Sequence, residues 1–202
     1  RRRWRASRLA SSHSPFTTHT SLPDARNCSW KTLSQQLDHF GILSTTFDQR
    51  LCLYAGFAKN VTRVLLYVGN ESPVEEYVNN TGLMWEYASQ RPGTLLVWAE
   101  HRYEARSTPD TIGMRQCLSY CTVEQALADY AIVVQKLRSI YGKVPVVAVG
   151  GSYGGMLAAW FRLKYPASVQ GAISASAPIW GLPLTRPPLN GGAIAVARAF
   201  GK

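Results

Sequence analysis

The sequence predicts an α/β fold, a mostly parallel β-sheet with helices on both faces, and three observations carry that expectation. Continuous apolar runs recur at Arg63 to Val68, Thr94 to Ala99 and Val144 to Val149, the composition of strands buried on both faces. Between them lie stretches whose apolar residues return every three or four positions, as on a helix with one buried stripe. Strand and helix patterns then alternate along the chain, which specifies parallel strands joined by right-handed crossovers.

The elements follow in order. Residues 1–30 read as a polar, basic arm with no assignable structure, because Ser11, Ser12, Ser14, Pro15, Thr17 and Thr18 break every pattern. Leu33 to Phe40 and Thr45 to Tyr54 alternate around Gly41 and predict a leading antiparallel pair. The first buried strand, Arg63 to Val68, is closed by Gly69-Asn70. Residues 74–90 predict one or two helical pieces broken near Gly82, and Thr94 to Ala99 is the second buried strand, ending on Glu100-His101-Arg102.

Thr122-Val-Glu-Gln125 is a capping-box pattern, in which the Thr oxygen would accept from the third helical amide and the Gln side chain would reach back. Val123, Leu127, Tyr130, Val134, Leu137 and Tyr141 form the apolar stripe of the helix that follows, and Gly142 is placed to cap its end. Val144 to Val149 predicts a third buried strand, Met156 to Tyr165 a helix ended by Pro166, and Gln170 to Ala175 a fourth. Residues 181–202 lose this rhythm and read as an irregular tail, leaving residues 31–180 as the folded domain. With 202 residues, 46% of them hydrophobic, the chain has enough apolar material for one sizeable core.

The net charge of +10 would ordinarily suggest an acidic partner. Much of it lies at the ends instead: Arg1, Arg2, Arg3, Arg5 and Arg8 in the arm, Arg186, Arg198 and Lys202 in the tail. No helix gathers these charges on one face, so nucleic acid is not an expected partner. No stretch reaches the roughly 18 apolar residues of a membrane span. The start lacks the apolar core of a signal peptide.

Four cysteines, Cys28, Cys52, Cys117 and Cys121, are too few for a disulfide scaffold but even in number. Cys117 and Cys121 are spaced to close a small loop, and the pairing stays open. No second Cys or His pair follows at ligand spacing, so no metal site and no cofactor are expected. Asn-x-Ser/Thr sequons begin at Asn27, Asn60, Asn70 and Asn79, compatible with a secretory route.

The chemistry centres on Gly150-Gly151-Ser152-Tyr153-Gly154-Gly155, between the third buried strand and the next helix. A Gly-x-Ser-x-Gly string is weak by itself. At a strand-to-helix junction it is the pattern of a nucleophile elbow, a strained turn that only small neighbours allow. The competing reading is a glycine-rich turn with a capping serine.

Several separated segments, in order, resemble one family. They are Gln36-Leu-Asp-His-Phe40, Tyr67-Val-Gly-Asn-Glu71, Glu100-His-Arg-Tyr103, Glu124 to Tyr130, Gly150 to Pro166 and Ser174-Ala-Ser-Ala-Pro178. The chain from about Gln36 to Trp180 resembles the serine peptidases that include lysosomal Pro-Xaa carboxypeptidase, dipeptidyl peptidase 2 and thymus-specific serine protease. The resemblance implies an α/β-hydrolase core, a helical cap domain inserted after the sixth strand, and exopeptidase cleavage next to proline. Peptides with proline near a terminus are then the expected partners, and a lysosomal or secreted location is expected.

By position, the resemblance makes Ser152 the acylating nucleophile and the Tyr153 N–H an oxyanion donor. The loop at Gly69 and Asn70 is where the second donor is expected, and Glu71 is a candidate for recognising a substrate's charged end. The Glu-His-Arg-Tyr match implies that His101 is structural or supports the site from behind, and His39 reads as structural. Asn60, Asn79 and Asn27 are the expected glycan carriers, since a glycan on Asn70 would fill the space of the acyl group. Ser72 replaces a Gly common in the family, and Glu104-Ala105 replaces a Tyr-Gly, which puts both loops' geometry in question.

In α/β-hydrolases the acid and the base follow the nucleophile along the chain. Residues 153–202 contain no Asp, Glu or His. The chain is therefore expected to be an incomplete piece, cut before the cap and the last strands, and inactive by itself. Two alternatives stay open: a non-catalytic fragment or binding module, and an esterase or lipase on the same fold.

Overall fold

The computed structural model describes residues 22–109, 118–179 and 191–201. Six strands form one sheet: β1 (Ser29–Gln36), β2 (Thr46–Tyr54), β3 (Arg63–Val68), β4 (Thr94–Ala99), β5 (Val146–Gly151) and β6 (Gly171–Ala175), in the order β1-β2-β4-β3-β5-β6. β1–β2 and β2–β4 pair antiparallel, while β4–β3, β3–β5 and β5–β6 pair parallel.

Alternation along the buried strands sends side chains to both faces, and helices cover both. On one face Val64, Leu66, Val68, Leu95, Val97, Val146 and Ala148 pack with α3 (Val123–Tyr141) and α4 (Ser152–Lys164) through Leu127, Tyr130, Val134, Leu157 and Phe161. On the other, Leu65, Tyr67, Leu96, Trp98 and Val149 pack with α1 (Val74–Asn80) and α2 (Gly82–Gln90) through Val78, Met84, Trp85 and Ala88. The expected layering is therefore observed. The break near Gly82 does separate two helices.

Several expected boundaries move: β5 runs Val146–Gly151 rather than Val144 to Val149, and β6 opens at Gly171 rather than Gln170. The polar arm ends earlier than residue 30. Asp24 caps a 3-10 turn at Ala25–Asn27, β1 opens at Ser29, and Cys28 is bonded to Cys52 of β2, which pins the entry of the chain to the sheet. β1 stops at Gln36 rather than Phe40, because the Asp38 carboxylate accepts from the Phe40 and Gly41 amides and turns the chain. The tail is not wholly irregular either: the alanine-rich run Gly191–Ala199, with high helix propensity, forms α5. A Cys117–Cys121 loop lies outside the described residues, since Cys117 is not among them.

Half of the predicted capping box forms. Thr122 Oγ1 accepts from the Gln125 amide at 3.3 Å. The Gln125 side chain turns away, accepting from His39 N at 2.8 Å and donating to the Asp38 carboxylate at 2.8 Å, so it ties α3 to the loop after β1.

Candidate active site

Ser152 lies where β5 becomes α4, which opens four residues before the Met156 start that the apolar pattern suggested, with Gly151 as the preceding cap. Its φ is 53°, the left-handed region where a residue with a Cβ is strained by about 1–2 kcal/mol. The surroundings enforce that turn. A Cβ on Gly150 would stand 2.0 Å from the Gly154 carbonyl oxygen, and one on Gly155 would stand 2.7 Å from the Ala175 oxygen at the end of β6. Only bare glycine lets the first turn of α4 fold back over the strand ends. The serine side chain is exposed at the carboxyl edge of the sheet.

The loop after β3 sits beside this turn. Gly69 and Asn70 are buried, and Asn70 Nδ2 donates to the Gly151 carbonyl at 2.9 Å. Its Oδ1 accepts from the Glu71 amide at 3.1 Å. The Asn70 amide is thus a strut between β3 and the turn, a role the sequence did not suggest. Glu71 is exposed.

Tyr153 stands next to Ser152 with its hydroxyl 3.2 Å from His101 Nε2. Burial pushes the phenol up to about 12, with the charges of nearby groups, Glu71 and Glu124 among them, adding to the shift. His101 Nδ1 is 2.7 Å from the Arg102 carbonyl oxygen, and burial holds the ring below its ordinary 6.5. His101 is directed at Tyr153 rather than at Ser152.

The second histidine belongs to another cluster. His39 Nε2 meets Asp129 Oδ1 at 2.7 Å, and Arg102 grips the same carboxylate with Nε at 2.7 Å and Nη2 at 2.8 Å. Arg102 also donates to the carbonyls of Leu37, Tyr120 and Gln36, so its guanidinium has a partner for every N–H. Arg102 and Asp129 are almost fully buried. Sequence reading missed this cluster, whose signal was an Asp amid the apolar stripe of α3.

Of the two loop substitutions, Ala105 takes φ 39°, so an alanine holds a left-handed turn suited to glycine. Ser72 has no positive φ and keeps its loop unstrained. Exposed asparagines head the sequons at Asn27, Asn60 and Asn79. An apolar groove of about 540 Å³ is lined by Phe40, Val123, Leu127, Trp160 and Tyr165 with Glu124 and Lys164 at its rim, none of them in the Ser152 turn. Among the described residues, no helix is long and apolar enough to cross a membrane. No group of three or more metal-ligating side chains is found among those residues either.

A parallel sheet with helices on both faces and a serine raised at a strand-to-helix turn defines an α/β-hydrolase. A solved structure of a probable hydrolytic enzyme from Pseudomonas aeruginosa has the same fold, with TM-score 0.52 and 17% identity over 76% of this chain and 45% of that one. Within that class, residues 35–182 match the family model of serine carboxypeptidase S28, and the chain belongs to that family. It is 47% identical over 181 residues to lysosomal Pro-X carboxypeptidase of Homo sapiens, covering 85% of this chain and 36% of that protein. The Mus musculus counterpart is 45% identical over 186 residues, with 87% and 38% covered. Prolyl carboxy peptidase like protein 5 of Caenorhabditis elegans is 41% identical over 161 residues, with 76% and 32% covered. The chain spans between 36% and 38% of the length of these two mammalian relatives.

Proposed function

We propose that this chain carries the nucleophile part of a serine exopeptidase that cleaves next to proline, of the carboxypeptidase type. The observation that carries the reading is Ser152, exposed on a left-handed turn at the carboxyl edge of the sheet. In this mechanism Ser152 Oγ attacks the peptide carbonyl, the leaving amine departs, and water hydrolyses the acyl-enzyme. The Tyr153 N–H, at the start of α4, stabilises the oxyanion, and the Gly69–Asn70 loop supplies the second donor. Glu71, exposed beside that loop, faces the substrate's end. The similarity to lysosomal Pro-X carboxypeptidases favours the carboxypeptidase over the dipeptidyl-peptidase form, and the family match weighs against an esterase or lipase.

The acid and base of this mechanism follow the nucleophile, and residues 153–202 have no Asp, Glu or His. The 202 residues alone are therefore an inactive unit. The Cys28–Cys52 bond favours an oxidising compartment and supports a lysosomal or secreted location. Asn60, Asn79 and Asn27 are the glycan carriers. Asn70 stays bare, since its amide nitrogen is already committed to Gly151.

The test is kinetic. The complete gene product containing these residues is assayed on peptides ending in Pro-Xaa, and on peptides beginning Xaa-Pro, beside its Ser152→Ala form and the 202 residues alone. Hydrolysis of the first class should fall by roughly 10⁶-fold in Ser152→Ala, and the 202 residues should show negligible turnover. Undiminished hydrolysis in Ser152→Ala refutes the nucleophile assignment. Ser152-dependent turnover by the 202 residues at ordinary enzyme rates refutes the missing acid and base.

A further inference from the structure

We infer that His101 is a positioning residue for the oxyanion donor, acting through the Tyr153 side chain. This rests on the reading of Tyr153 N–H as that donor.

The tautomer follows from geometry. His101 Nδ1 faces the Arg102 carbonyl oxygen at 2.7 Å, and only an N–H can face a carbonyl at that distance. The proton is on Nδ1, so Nε2 holds the lone pair and accepts from the Tyr153 hydroxyl at 3.2 Å. A ring in this state, kept neutral by burial, takes a fixed hydrogen bond. It is an acceptor with its other nitrogen already committed.

The contacts close a circuit across three strand ends. β3 lies between β4 and β5 in the sheet, so the Tyr153–His101 bond spans from the β5 turn, past the end of β3, to the residue following Glu100 after β4. Beneath it, a Cβ on Gly69 would stand 2.4 Å from the His101 backbone nitrogen and 2.7 Å from the Ala99 oxygen. The circuit returns through Asn70 Nδ2 to the Gly151 carbonyl at 2.9 Å. The loop that offers the second donor and the turn that offers the first are thus locked to each other by two side-chain bonds. The rings of His101 and Tyr153 also touch, with centroids 5.5 Å apart.

A donor is effective only when it is aimed beforehand at the position of the oxyanion. Glycine packing fixes the path of the turn, and the anchored Tyr153 side chain adds the restraint on the pitch of its own N–H. Anchoring the phenol fixes χ1 and the pitch of the first helical turn. Freed of that bond, the peptide can rock, and small misplacements near reacting atoms carry large rate losses.

The test uses the complete gene product on its peptide substrate. Tyr153→Phe and His101→Phe should each lower kcat about tenfold with KM within about twofold, and the double variant should be no slower than the slower single one. His101→Gln, whose side-chain oxygen can still accept, should recover part of the loss. A kcat for Tyr153→Phe within twofold of the parent, or losses that multiply in the double variant, overturns the inference. So does a lowered Tm with unchanged kcat, the mark of a merely structural bond. If His101→Phe fails to fold, Tyr153→Phe decides alone, since it removes one oxygen. A second measurement needs no activity: in protein labelled with ¹⁵N-histidine, His101 should show a single Nδ1–H tautomer whose Nε2 resonance moves in Tyr153→Phe. An unmoved resonance refutes the bond whatever the enzyme does, whereas undiminished hydrolysis in Ser152→Ala refutes only the nucleophile reading.

Discussion

The ends of β4 and β5 leave the sheet at the same edge and are built by opposite means. After β5 the chain has small residues and a strained backbone: Gly150, Gly151, Ser152 at φ 53°, Gly154 and Gly155. The serine is held by what is missing around it, since the absent Cβ atoms of Gly150, Gly154 and Gly155 let backbone approach backbone. After β4 the chain has Glu100, His101 and Arg102, all buried, and the structure is held by pairing. Arg102 fills its donor capacity on Asp129 and three carbonyls, and Glu100 accepts from Val74 N and Ser107 Oγ. The charges of Glu100 and Arg102 therefore hold the fold after β4, while the plainest residues raise the exposed serine after β5. A buried charge must be satisfied or it unfolds its surroundings. A reactive hydroxyl instead needs exposure and a turn that few residues tolerate.

The sharpest way to break this contrast is to unpair the β4 end. Asp129→Ala leaves the Arg102 guanidinium buried without its counter-charge and His39 without its partner, and should destabilise the protein by about 3–5 kcal/mol. Urea unfolding monitored by far-UV circular dichroism measures it. A loss below about 1 kcal/mol would mean that the cluster is solvated and the contrast false.

The next effect concerns protons. Burial holds the folded His101 ring below 6.5, so below that pH the unfolded chain takes up a proton that the folded chain resists. Stability should be level with respect to this group above pH 6.5 and fall as the pH drops beneath it, by no more than about 1.4 kcal/mol per pH unit. The His101→Gln form should lack that part of the slope between pH 7.5 and 5. Parallel slopes in the two forms would show that His101 titrates alike in both states.

The smallest effect has the opposite sign. Ser152→Gly removes the left-handed strain, partly offset by glycine's larger unfolded-state entropy, and should stabilise the fold by about 0.5–1 kcal/mol. Differential scanning calorimetry of the two forms reads it as a raised Tm, and a lowered Tm would place the strain elsewhere than at the turn.

Much of this molecule was legible because it is local. The bounds of β3 and β4 coincide with their runs, since a strand buried on both faces is apolar at nearly every position. The Ser152 turn was legible because its glycines, its serine and the adjoining strand and helix all lie within a few residues. β1 was misplaced by four residues at its start, because the alternation is weak there and the Asp38 turn that ends it is made by a side chain. The helix Gly191–Ala199 was missed because neighbouring prolines and glycines masked a short alanine-rich run.

By itself the sequence determined the layered α/β class, the buried strands, the cap at Thr122 and the position of the nucleophile candidate. Each is written in a spacing of two, three or four residues. The tertiary structure alone decided the partners: Cys28 with Cys52, Arg102 with Asp129, Asn70 with Gly151, His101 with Tyr153. These pairs lie 24, 27, 81 and 52 residues apart. Their meeting depends on the strand order β1-β2-β4-β3-β5-β6, and no local periodicity encodes which strand lies beside which.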